Sequence, residues 1–252
     1  MQKHTMRMSA LAAAVALTLG TLQAHGATVE LPLGQTVDGI SPLHADDFID
    51  NFYDGGDGSN SLANSEAGVY NVGPGPNLGF QFSANAAAPG SALGSTSGKF
   101  EYNPSGLSQV LYFAYTSSAI TNTVNFAAGF NDVSFNYAFS ANDNYSGQTI
   151  NIYSGLNGTG TLLDSLTLTG SNYGVDGCST SQYAYCTWYS LTSGQLSGVA
   201  ESITFGSSNG ASEFTEFDGL SVNAVPLPAA GWLLMSGLGG VAAMARRRRV
   251  TA

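Results

Sequence analysis

The sequence predicts an all-β fold, an antiparallel β-sandwich or jelly roll, and three observations carry the prediction. Between Ala27 and Asn223 there are no heptads and no long apolar rhythm of 3.6 residues. Apolar side chains instead alternate with polar ones over short runs, the period of two that buries one face of a strand. Between the runs stand Gly, Asn, Ser and Pro, and the 32 glycines serve turns on this reading.

In chain order the strand-like runs are Val110 to Tyr115, Thr123 to Phe126, Val133 to Phe139, Thr149 to Tyr153, Leu162 to Leu168, Trp188 to Leu191, Ser202 to Phe205 and Leu220 to Val222. The clearest is the third: Val133, Phe135, Tyr137 and Phe139 alternate with Ser134, Asn136 and Ala138. Between Tyr153 and Leu162 the segment Ser154-Gly155-Leu156-Asn157-Gly158-Thr159-Gly160 is turn chemistry, because Asn-Gly tolerates the positive φ angles of tight hairpins. From Gly55 to Gly98 the composition loosens, with Gly-Gly-Asp-Gly-Ser-Asn-Ser and Gly-Pro-Gly-Pro, and this region reads as long loops between edge strands. Aromatic and branched residues recurring at strand spacing argue against a disordered, low-complexity chain.

The two ends differ from the body. Met1 to Met8 is basic, an Ala-rich apolar stretch follows, and small residues close it, the pattern of a secretory signal peptide over residues 1–26. Ala24 and Gly26 suit a cut before Ala27, with a cut after Ala24 as the alternative. Residues 27–223 then form one ectodomain. All 17 carboxylates of the chain lie between Glu30 and Asp218, with Lys99 the one Lys or Arg among them, so the body carries sixteen net negative charges. Such a surface repels nucleic acid and anionic lipid.

The chemistry available to the body is limited. His44 is the one histidine left after signal removal, and no Gly-x-Ser-x-Gly, His-Glu-x-x-His or P-loop pattern occurs, so no catalytic residue is assigned. Glycoside hydrolysis needs two carboxylates, and Glu201, Glu213 and Glu216 are available without a spacing that pairs them. Asp46, Asp47, Asp50, Asp54 and Asp57 crowd into twelve residues, a composition that suits a structural calcium ion with Asp218 or Glu216 contributing, or a solvated acidic loop. Tyr183, Tyr185, Trp188 and Tyr189 gather around the cysteine pair and serve either to stack on sugar rings or to fill the core. Cys178 and Cys186 are the two cysteines; outside the cytosol a disulfide is expected, with free thiols as the alternative.

Residues 224–250 form the last segment. From Ala229 to Ala245 there is no charge, and a helix of that length reaches about 25 Å, short of a ~30 Å hydrocarbon core. Trp232 near its outer end and Arg246, Arg247, Arg248 and Arg249 behind it predict a marginal transmembrane helix with its arginines in the cytoplasm. Pro226 and Pro228 hold the preceding backbone extended. The sequence Val225-Pro226-Leu227-Pro228-Ala229, the Gly-rich apolar helix and the basic cluster together resemble the PEP-CTERM sorting signal in its VPLPA variant. The resemblance implies recognition by an exosortase-type processing enzyme, removal of the tail, and delivery to a bacterial cell envelope or exopolysaccharide matrix; a C-terminal membrane anchor that is never cut gives the same topology. The body more loosely resembles the β-sandwich ectodomains that precede such tails, through Ala127-Ala128-Gly129-Phe130, Tyr153 to Gly160, the cysteine pair with Trp188, and Phe217-Asp218-Gly219-Leu220. That likeness implies a fold and no reaction. The expectation is an exported, non-enzymatic surface or matrix protein; a carbohydrate-binding module or adhesin, and then a secreted glycan-acting enzyme, are the alternatives.

Overall fold

The computed structural model describes residues 27–41, 47–49, 52–56, 74–89, 104–113, 120–140, 148–170, 185, 187–207 and 215–225. Within them the regular structure is strand, apart from one 3₁₀ turn. The strands are β1 (Thr28–Glu30), β2 (Asp47–Phe48), β3 (Phe80–Phe82), β4 (Ala86–Ala88), β5 (Tyr112–Phe113), β6 (Thr121–Phe139), β7 (Thr149–Gly155), β8 (Thr159–Thr167), β9 (Tyr189–Thr192), β10 (Ala200–Ser207) and β11 (Thr215–Ala224). All pairings are antiparallel, as the alternating pattern predicts.

The organising element is β6, 19 residues long. Its first half pairs with β3 and β10, and its second half with β9 and β11. Beyond β10 come β7 and then β8; beyond β11 comes β1. Two of the predicted runs, Thr123 to Phe126 and Val133 to Phe139, are therefore one strand. Ala127 and Ala128 between them are exposed, and Gly129 has φ +80° where a Cβ would stand 2.5 Å from Val199 Cγ1. The left-handed residue and the register shifts beside it let one strand serve two sets of neighbours.

The halves meet through aromatic rings. Phe205 of β10 has its ring centroid 4.7 Å from that of Phe217 on β11 and 6.0 Å from that of Phe135 on β6, and Phe113 of β5 lies 5.2 Å away. These residues belong to one hydrophobic core, which Phe52, Tyr53, Phe80 and Phe82 extend toward the small β2–β4–β5 sheet. Strands β3 and β4 correct the expectation of loops from Gly55 to Gly98. Phe80-Gln81-Phe82 has the buried–exposed–buried period over a span too short to stand out, and Ala86–Ala88 is buried on both faces and so does not alternate.

The β7–β8 turn follows the sequence. Asn157 sits at φ 56°, ψ 35° and Gly158 at φ 70°, inside the 3₁₀ turn Leu156–Gly158. The Asn125 side chain on β6 closes on Asn157 twice: its Nδ2 donates to Asn157 Oδ1, and its Oδ1 accepts the Asn157 N–H, each at 2.8 Å. Gly158 N–H donates to Ser202 Oγ at 2.9 Å.

Candidate functional site

In the second half of β6 the pleat sends Val133, Phe135, Tyr137 and Phe139 into the core and Asp132, Ser134, Asn136 and Ala138 to the opposite face. Register carries the same division to the neighbours. On β9, Thr192 lies beside Ser134 and Ser190 beside Asn136. On β11, Ser221 lies beside Ser134 and Asp218 beside Asn136. The outer face of β9–β6–β11 is thus a ladder of hydroxyls and amides.

A bulge on β11 opens this ladder. Gly219 and Leu220 together oppose Phe135, and Gly219 takes φ +59°. Leu220 returns to the core, while Gly219 offers no side chain to the outer face. A Cβ there would stand 3.4 Å from Asn136 Nδ2 and 3.7 Å from Ser105 Cβ. The result is a shallow depression of about 310 Å³, lined by Ser134, Phe135, Asn136, Ser190, Leu191, Thr192 and Gly219.

Its polar groups are held in place. Ser190 Oγ donates to Asn136 Oδ1 at 2.6 Å, which turns Nδ2 toward Gly219. Ser134 and Ser221 share a hydroxyl–hydroxyl bond of 2.8 Å. Asp132 Oδ1 accepts from Thr192 Oγ1 at 3.3 Å and from Ser193 Oγ at 3.1 Å, fixing the end of β9. Asp218 is fully buried; its carboxylate accepts the Ser105 N–H at 2.8 Å and also the Ser105 hydroxyl. Next to the depression, Val110, Ala138 and Tyr185 form a small second core with Trp188 packed on it, above the buried Glu216 that lies beside Ala138 in register.

The residues singled out in the sequence distribute as follows. Trp188 is half-buried and immediately precedes β9, two residues before Ser190. Tyr185 is 2% exposed, and Tyr189 points to the core side, stacked on Tyr137 at 5.5 Å. Tyr185 is thus enclosed by protein and Tyr189 is half-buried with one ring face on Tyr137; Tyr183 lies outside the described residues. Asp54 accepts the Gly56 N–H at 3.3 Å, Asp47 lies in β2, and Asp46, Asp50 and Asp57 lie outside the described residues. Among the described residues no group of three or more His, Cys, Asp or Glu gathers to hold a metal ion. Cys178, Cys186 and the whole tail beyond Val225, including Pro226, Leu227, Pro228, Ala229, Trp232 and Arg246 to Arg249, also lie outside them. Among the described residues no helix is long and apolar enough to cross a membrane. The lining residues Ser134, Asn136, Ser190, Thr192 and Gly219 were not singled out from sequence as a site; their signal is the polar half of two readable strands.

No known protein family matches the chain, and no curated protein matches it. Solved structures with a partial likeness include the K3 cleaved adhesin domain of Lys-gingipain from Porphyromonas gingivalis w83, at TM-score 0.33 and 15% identity over 56% of this chain and 93% of that one. Another is the CBM22-1 xylan-binding domain of Xyn10C from Paenibacillus barcinonensis, at TM-score 0.33 and 11% identity over 60% and 88%. A third is the catalytic domain of a GH87 α-1,3-glucanase in complex with nigerose, at TM-score 0.32 and 17% identity over 60% and 29%.

Proposed function

We propose that the protein is an exported, non-enzymatic surface or matrix protein whose β-sandwich ectodomain adheres to glycan through the depression on β9–β6–β11. The observation that carries this reading is the lining itself: hydroxyls and a side-chain amide on a strand-borne, hydrogen-bonded frame, the groups that exchange hydrogen bonds with sugar hydroxyls. Contact of the two halves of β6 through Phe205 supports the sandwich description.

Export and sorting rest on the sequence of the ends, with Cys178–Cys186 joined once outside the cytosol, the tail handled by an exosortase-type enzyme, and the body left at the cell envelope or in exopolysaccharide. The test has two arms on the full chain made in a bacterium that carries such an enzyme. Intact mass of the mature protein is expected to show loss of residues 1–26, loss of the tail, and a body two hydrogens lighter than its reduced form. Retention on immobilised polysaccharides tests adhesion. A cytosolic protein with an intact start and free thiols overturns export; passage through every polysaccharide column overturns the adhesive role.

A further inference from the structure

We infer that the depression selects a neutral glycan and holds two to three consecutive rings of it, lying across the strands from β9 over β6 to β11; this rests on the adhesive reading above. Three observations lead there.

The first is direction. The lining reaches three strands but only two outward positions along β6, Ser134 and Asn136. Adjacent strands lie about 4.8 Å apart, so the reach across them is about 10 Å, against about 7 Å for one two-residue step along a strand. The long axis therefore crosses the strands, and strand spacing is close to the advance of an extended glycan per pyranose ring. Three strands then offer one row of polar groups to each of two or three rings.

The second is charge. Lys99 is the one Lys or Arg between Glu30 and Asp218, so the body supplies a single cation against 17 carboxylates, and the described lining contains no cationic side chain. Asp132 and Asp218 flank the depression on β6 and β11. A uronate or sulfated sugar would meet the Asp132 carboxylate and, among the described residues, no cation, at a surface with a large net negative charge. A neutral sugar meets groups matched to its hydroxyls.

The third is the donor. Asn136 Oδ1 is taken by Ser190, and Nδ2 faces the space above Gly219, where among the described residues it has no acceptor. A sugar oxygen supplies one. Asn136 is thus the residue that reads the ligand, and Ser190 positions it by fixing which way the amide points.

The experiment uses the full-length chain on columns of dextran, xylan and galactomannan as neutral probes and of alginate and polygalacturonate as anionic ones. Retention is expected on at least one neutral column and on neither anionic one. Fragments of one to six rings, prepared from the retaining polysaccharide, are then titrated by calorimetry. Affinity is expected to climb to three rings and to stay flat beyond. Asn136→Ala is expected to weaken the three-ring fragment about tenfold, the worth of one well-made hydrogen bond. Gly219→Asn, which tolerates a left-handed backbone yet fills the depression, is expected to abolish binding, whereas Thr161→Ala on β8 leaves it unchanged. Circular dichroism of each variant checks that the fold is kept. Retention on the anionic columns, full affinity at one ring, a continued rise to six rings, or indifference to both Asn136→Ala and Gly219→Asn in folded protein overturns this inference while leaving adhesion standing. Retention on no column overturns the adhesive reading itself.

Discussion

Asp218 is a carboxylate with no exposed surface, and its cost is met by a residue 113 positions away. Ser105 gives it an N–H and a hydroxyl, and so pins the 104–111 segment to the outer face of β11. Removing the hydroxyl leaves the N–H bond and takes away a bond to a charged acceptor. Ser105→Ala is therefore expected to lower unfolding free energy by about 1–3 kcal/mol, read from urea melts. Sequence offered Asp218 as a contributor to a calcium site and within Phe217-Asp218-Gly219-Leu220; its bond to Ser105 was not legible, because nothing local points to a serine so far along the chain. Gly219, next to it, was quoted within Phe217-Asp218-Gly219-Leu220 but not as a cavity floor; that role depends on which residues stand across the ladder.

At the scale of elements, the β7–β8 turn was legible and the bend in β6 was not. Asn-Gly announces a left-handed pair by its own stereochemistry, and Asn157 and Gly158 adopt it. What the turn packs on is non-local: Asn125 grips Asn157 through both atoms of its amide. Asn157→Ala loses the side-chain acceptor and strains a left-handed backbone, and is expected to cost about 2–3 kcal/mol; Asn157→Gly keeps the backbone at ease and is expected to cost about 1 kcal/mol. Thermal melts of the two variants separate the contributions. In β6 the alternation stops at Ala127-Ala128-Gly129, which reads as the end of one strand and the start of another, although the chain bends there without leaving the sheet. Gly129→Ala brings a methyl against Val199 at positive φ and is expected to destabilise by about 1–3 kcal/mol. Strands β3 and β4 were missed because three residues cannot display a period, and an alanine strand has no polar half to alternate with.

At the scale of the molecule, one core joins both sets of β6 neighbours, and Phe205 sits at the junction of Phe113, Phe135 and Phe217. Phe205→Ala is expected to cost about 3–5 kcal/mol, with a single cooperative transition retained because this one core spans both sets of β6 neighbours. The body's charge sets its response to salt. Sixteen net negative charges repel one another, and raising ionic strength from about 0.01 M to about 0.15 M shortens the Debye length from about 30 Å to about 8 Å. Tm is expected to rise by a few degrees over that range, measured by scanning calorimetry. The all-β class and the outward polar half of β6 and β9 were readable, since they follow from a period of two. The depression was not, because it exists only where a bulge on β11 meets a hydroxyl row on β9.

The last described residue, Val225, donates its N–H to Gly129 O at 2.9 Å, and Ala224 donates to Ala27 O at 3.0 Å. Beginning and end of the body thus leave from one corner, with β11 clasped between β6 and β1. A load applied at Val225 runs along β11, parallel to its strand axis. Many ladder bonds then share that pull at once instead of parting one after another. The same clasp that closes the sheet therefore meets a pull on Val225 as a shear joint, with the bonds of β11 to β6 and β1 loaded together.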